Sequence, residues 1–267
     1  MGSQFTISKI LFTLLLTHSI VFGDSIFSDF QRDTPALWRY CLLRCLGGYE
    51  TSQKTPFTME GDTPIILVHG YLNSNIVWID FRKALEQAKL GPVYAPTLHS
   101  SVKDIRRSAK EIARLVENVR EQNGGKPVIL IGHSMGGLVS STCAQFYTPP
   151  GSIKAVITIG SPLRGTKLAP LGYGKAVHQM QCGSPFLKKL NAEIMDHPQA
   201  TYFCLGSAND QVVRPYQNSF YKEPDGDSHF HLYTDIGHLS FLFHEDVIND
   251  LISMVHTLND ASSGNHP

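Results

Sequence analysis

Apolar positions along this chain follow two rhythms. From Pro64 onward, short unbroken apolar runs alternate with segments in which apolar residues recur every three or four positions. Pro64 to Val68, Val93 to Tyr94, Val128 to Ile131, Ala155 to Ile159, Tyr202 to Leu205 and His231 to Tyr233 read as strands. Val68, Val128 to Ile131 and their like leave no polar side to face water, as in strands inside a parallel sheet.

The helical spacing is clearest at Val102, Ile105, Ala109, Ile112, Val116 and Val119, with Ser101 as the expected N-cap and Gly124-Gly125 as the stop. A second helix is expected from about Met135 to Tyr147, and a last one carries Val247, Ile248, Leu251, Ile252 and Val255. Nearer the start, Thr34 and Pro35 open a helix bearing Leu37, Trp38, Cys41, Leu42 and Cys45, which Gly47 and Gly48 close. Its stripe suits packing on the domain, with contact at a lipid interface as the alternative. The alternation of strand and helix predicts an α/β fold, a doubly wound, mostly parallel sheet with its ligand crevice beyond the carboxyl ends of the strands. From about Thr166 to Ala200 the rhythm fails, and Pro170, Gly172, Gly174, Gly183, Pro185 and Pro198 punctuate short helical pieces, as in a helical cap inserted over a site.

Length changes the picture only by fitting one domain into the 267 residues. Residues 1–23 stand apart: Lys9 precedes an apolar run from Ile10 to Phe22, and Val21 and Gly23 suit cleavage before Asp24. This predicts a secretory signal peptide, a single domain over 24–267 and a secreted or exported product. Retention as an anchor is the alternative, although the run is shorter than the ~20 apolar residues that span a bilayer. Net charge is zero, which gives nucleic acid no electrostatic footing, and no repeat or low-complexity tract is present. Of five cysteines, Cys143 and Cys204 fall in buried elements, whereas Cys41, Cys45 and Cys182 are the candidates for a bridge. No spacing indicates a zinc site.

The candidate chemistry centres on Gly132-His133-Ser134-Met135-Gly136, a G-x-S-x-G string that directly follows a strand and precedes a helix. That setting turns the chain abruptly and pushes Ser134 out of the sheet. A serine needs a base, and the base needs an acid to fix its tautomer. His238, in the loop between the last strand and the last helix, is the expected base. Asp210, after the strand ending at Leu205, is the expected acid, with Asp235 as competitor. The chain order Ser, Asp, His is that of such folds. The N–H groups of Met135 and Tyr71 are the expected oxyanion donors, with Leu72 as the alternative to Tyr71. Leu72, His133, Leu163 and Leu239 are candidate substrate contacts. His69 reads as a structural hydrogen-bonder. His229 and His231 with Asp227 form a weaker, metal-like trio.

Val68-His69-Gly70-Tyr71, Gly132 to Gly137, Gly160-Ser161-Pro162-Leu163-Arg164-Gly165-Thr166, Asp210 with Val212 and Val213, and Gly237-His238-Leu239 together resemble the lipase and carboxylesterase branch of the α/β-hydrolase superfamily. The resemblance runs from about Pro64 to Leu258. It implies small-molecule or lipid esters of fatty acids as substrates, no cofactor, and a mobile cap over 166–200. The loop after Gly70 lacks the extra glycines of many esterases. A thioesterase or acyltransferase on the same three residues is the alternative reading, separable by acyl-thioester turnover. A catalytically silent binding module of this fold is the third, and would be expected to have lost one of the three residues.

Overall fold

A computed structural model describes residues 33–36, 38–40, 63–99, 101–223, 227 and 229–263. The expected leader, Leu37, Cys41, Leu42, Cys45, Gly47 and Gly48 lie outside them.

Six parallel strands, β1 (Ile65–Val68), β2 (Val93–Tyr94), β3 (Val128–His133), β4 (Ile153–Ile159), β5 (Thr201–Ser207) and β6 (Phe230–Tyr233), form one sheet in the order β2-β1-β3-β4-β5-β6. Every residue of β1 and β3 is buried, which accounts for their unbroken apolar runs. The chain leaves β1 for one edge and returns to the other side for β3, so the reversal of direction falls beside the carboxyl end of β3, where ligands of such sheets bind.

The helices cover both faces. On one lie α2 (Ile105–Gln122), α3 (Met135–Phe146) and α5 (Pro185–Asp196), whose Ile112, Val116, Leu138, Val139 and Leu190 share a core with Ile66, Val68 and Leu130. On the other lie α1 (Ile79–Gln87) and α6 (Glu245–Ser263), whose Phe81, Leu85, Val247, Leu251 and Val255 pack with Leu67, Ile131 and Ile157. No helix had been expected where α1 forms, although Trp78, Phe81 and Leu85 carry a helical spacing and are fully buried. Between β4 and β5 run a short α4 (Lys175–Gln179) and α5.

The start of α2 differs from expectation. Asp104, not Ser101, is the N-cap, accepting the Arg106 N–H at 3.0 Å. Gln179 of α4 completes it, accepting the Ile105 N–H at 2.8 Å and donating to Asp104 Oδ1 at 2.7 Å. Val102 is outside the helix because its carbonyl takes the Ala176 N–H instead. Gly124 and Gly125, both at positive φ, end α2 as expected. Cys143 and Cys204 are buried thiols, whereas Cys182, a bridge candidate on sequence, is an exposed free thiol. Among the described residues, no helix is long and apolar enough to cross a membrane.

Candidate active site

Ser134 is the single residue between β3 and α3, with φ 55° and ψ −127°. This conformation is disfavoured for a residue with a side chain. It persists because the flanking glycines allow backbones to touch. A Cβ on Gly132 would stand 2.4 Å from the Gly136 carbonyl, and one on Gly136 would stand 2.0 Å from the Val68 oxygen. The Ser134 N–H is held by the Ile159 carbonyl at 2.9 Å. The spacing of the motif is thus a steric requirement of packing α3 against β1 and β3.

The loop after β1 lies over this turn. A Cβ on Gly70 would meet Ser134 Cβ at 3.0 Å, so the backbone leading into Tyr71 abuts the serine. Leu72 has a positive φ of 53°. His69 is fully buried: Nδ1 donates to the Gly70 carbonyl at 2.9 Å, and Nε2 accepts the Leu98 N–H at 2.8 Å. Both ring nitrogens are therefore used in shaping the loop. The Tyr71 hydroxyl reaches the segment before α4, donating to the Tyr173 carbonyl at 2.7 Å and accepting its N–H at 3.1 Å.

Asp210 follows β5 and His238 follows β6, neighbouring strands of the sheet. His238 Nδ1 donates to Asp210 Oδ2 at 2.8 Å, and both side chains are buried. The other carboxylate oxygen accepts the N–H groups of Val212 and Val213, each at 2.8 Å. Burial works against the charged form of Asp210, but the charge and hydrogen bond of His238 and these two N–H groups outweigh it and hold the carboxyl below its ordinary value. Burial likewise opposes an imidazolium at His238. The charge and hydrogen bond of Asp210, then the charge of Asp33, raise its pKa above the ordinary value. Asp235, the competing acid, is exposed.

The four expected substrate contacts differ in placement. His133 is buried, its ring 4.8 Å from that of His238 and its Nε2 bonded to the His238 carbonyl, so it stands behind the His238 ring rather than in an open crevice. Leu163 is buried in the core, and its carbonyl is held by Asn191. Leu72 and Leu239 are partly exposed. On the segment 166–200, Phe186 and Leu187 pack into the core. Leu168, Leu171 and Tyr173 are instead exposed by 37%, 54% and 51%, a small apolar cluster joined to the Tyr71 loop. His229 pairs with Asp227 at 2.7 Å while His231 turns to Asp250, and no group of three metal ligands occurs among the described residues.

Two residues that the sequence did not single out meet the His238 loop. Gln211 Oε1 accepts the His238 N–H at 3.1 Å, and its Nε2 donates to the buried carboxylate of Asp33.

The architecture is that of the α/β-hydrolase fold. A family model described as the alpha/beta hydrolase fold matches residues 63–181. The chain is 32% identical over 133 residues to a triacylglycerol lipase of Burkholderia plantarii, and 28% identical over 126 residues to a putative esterase/lipase of Mycoplasma pneumoniae. These matches cover 45% and 47% of this chain and only 36% and 43% of those relatives. Among solved structures, a mature Bacillus licheniformis lipase superposes with TM-score 0.61 at 21% identity, over 78% of this chain and 96% of that one. Aspergillus fumigatus lipase B gives 0.64 at 16%, over 80% and 57%. The chain has the α/β-hydrolase fold, and the relatives it matches in sequence are named as lipases and a putative esterase/lipase.

Proposed function

We propose that this chain is an exported serine hydrolase that cleaves fatty-acyl esters, with Ser134 as nucleophile, His238 as base and Asp210 as the acid that orients it. One observation carries the reading: a buried imidazole–carboxylate pair at the ends of β5 and β6, with its ring against the residue that precedes a serine held at a strained strand-to-helix turn.

In this mechanism His238 Nε2 takes the Ser134 hydroxyl proton as Oγ attacks the acyl carbonyl carbon. The carbonyl electron pair moves onto oxygen, which the N–H groups of Met135 and Tyr71 stabilise. Collapse breaks the bond to the alcohol, which leaves with the proton from Nε2. Water then attacks the acyl-enzyme by the same route, releasing the fatty acid and Ser134. Asp210 keeps its charge throughout and offsets the imidazolium. The exposed Leu168, Leu171 and Tyr173 supply an apolar surface at the rim suited to acyl chains or a lipid interface, and the apolar run before Asp24 supports export.

The test is turnover of a graded series of nitrophenyl esters and matched acyl-thioesters, with and without emulsion. Rates that rise from acetyl to octanoyl esters, and rise again at an interface, are expected. Faster turnover of acetyl esters with no effect of emulsion would refute the fatty-acyl assignment, and preference for thioesters would replace it with the thioesterase reading.

A further inference from the structure

Asp33 belongs to a short segment far from the sheet in sequence, yet its side chain sits beneath the loop that carries His238 and is only 2% exposed. Oδ2 accepts the Leu239 N–H at 3.0 Å and a bond from Gln211 Nε2. Oδ1 accepts the Ser240 N–H at 3.1 Å and the Ser240 hydroxyl. Gln211 in turn accepts the His238 N–H, so one carboxylate gathers the backbone of 238–240 and the loop that supplies Asp210. The fit is close enough that a Cβ on Gly237 would stand 2.2 Å from Asp33 Oδ1.

We propose that Asp33 is a positioning residue for the reaction, a carboxylate clamp that fixes the His238 and Asp210 loops in register and places a second negative charge behind the imidazole. The proposal rests on the assignment of Ser134, His238 and Asp210 above. Three physical arguments support it. A catalytic constellation must be held within about 0.5 Å, and loops reach that precision only when their backbone groups are tied down. Among the described residues the four donors to Asp33 are all neutral, so folding buries a carboxylate without a cationic partner among them, an arrangement that costs stability. His238, on which the charge of Asp33 acts, becomes cationic during turnover, which gives this cost a use: the field of Asp33 favours the imidazolium that forms as Ser134 attacks. The charged and titratable groups facing His238 are then Asp210 from the loop after β5, Asp33 from the N-terminal segment and His133 from the end of β3; burial keeps His133 neutral, its pKa falling to about 3.

The experiment uses the full chain with Asp33→Asn, Gln211→Ala, the double variant and Ser134→Ala, each checked by thermal melt. Asparagine removes two of the acceptor positions and the charge while keeping the size. Asp33→Asn is expected to lower kcat about tenfold or more with KM within about twofold, to slow fluorophosphonate labelling in parallel, and to move the acidic limb of kcat/KM to lower pH. Gln211→Ala is expected to lower kcat as well, and the double variant to lose less than the product of the two single losses. A purely structural Asp33 would depress the melting temperature and leave kcat and the acidic limb of the folded fraction unmoved; that result overturns the clamp. Should Asp33→Asn not fold, Gln211→Ala decides: among the described residues it cuts the bond between Asp33 and the loop that supplies Asp210, so a folded Gln211→Ala variant with wild-type kcat likewise overturns the clamp. Labelling that persists in Ser134→Ala refutes the triad itself, whereas labelling lost there and unchanged in Asp33→Asn refutes the clamp alone.

Discussion

His133 donates its Nε2 proton to the backbone carbonyl of His238 at 2.9 Å, tying the residue before Ser134 to the His238 loop. Its other nitrogen, Nδ1, is buried with no hydrogen-bond partner among the described residues. Burial, reinforced by the charge of His238, pushes the His133 pKa down to about 3, so this ring stays a neutral donor and does not compete as base. His133→Phe leaves the His238 carbonyl unsatisfied, which costs about 1–3 kcal/mol. We expect a lower melting temperature and a lower kcat at unchanged KM, with partial recovery in His133→Gln, which keeps a donor. Equal melts and turnover for His133→Phe and wild type would show that the bond holds nothing.

The conformation of Ser134 makes a prediction about stability alone. At an ordinary site, alanine is favoured over glycine by about 0.4–1 kcal/mol because glycine loses more freedom on folding. At φ 55° and ψ −127° the order reverses, since a Cβ there carries strain on the order of 1–3 kcal/mol. Ser134→Gly is therefore expected to melt above Ser134→Ala, by roughly 2–4 °C for each kcal/mol gained. Both variants lose covalent labelling. The opposite ranking of melts would mean that the turn is not strained.

Much of this architecture is legible in local patterns. The strands appear as apolar runs because both of their faces are covered, and Ser134, Asp210 and His238 stand out because each follows such a run, where the crevice of this topology opens. What is hidden depends on contacts between distant segments. Nothing near Asp33 announces a carboxylate that bonds Leu239 and Ser240. The cap of α2 is not legible locally because Gln179, from another helix, helps to select Asp104 over Ser101. Phe186 and Leu187 carry the composition of a channel lining, and only their side of α5 reveals that they face the core.

Protonation of the imidazole–carboxylate pair sets two pH dependences. In the proposed mechanism only neutral His238 can take the serine proton, and its pKa lies above the ordinary 6.5, so kcat/KM should fall as pH drops through a value above 6.5. Removing the charge in Asp210→Asn should carry that limb to lower pH. Stability follows a separate rule. The raised histidine contributes stability that is present below its unfolded value and lost as pH rises through the folded one. The lowered Asp210 contributes stability that is present above its unfolded value of 3.8 and lost as pH falls through the folded one. The melting temperature gap between wild type and Asp210→Asn should thus be widest between about pH 4 and 6.5 and narrow on either side. A gap that grows steadily above pH 8 would contradict the pair.

Asp210 and Asp235 make opposite claims to the role of acid. A triad acid must receive the Nδ1 proton of His238, and an asparagine there presents a donor to a donor, leaving the imidazole in the wrong tautomer; the serine-protease precedent for that change is roughly 10⁴ in kcat. Asp210 meets the requirement at 2.8 Å, on a carboxylate with no exposed side-chain surface and with its other oxygen anchored by two N–H groups. Asp235 lies on the surface of the loop after β6, where water screens its charge and no bond to the imidazole forms. Asp210→Asn is expected to lower kcat at least about a hundredfold with little change in KM, the mark of an interaction expressed in the transition state, while Asp235→Asn stays within about tenfold of wild type. Melts of both variants separate catalytic loss from unfolding. The reverse ranking in two folded variants would move the acid to Asp235 and leave the buried Asp210 pair as structure only.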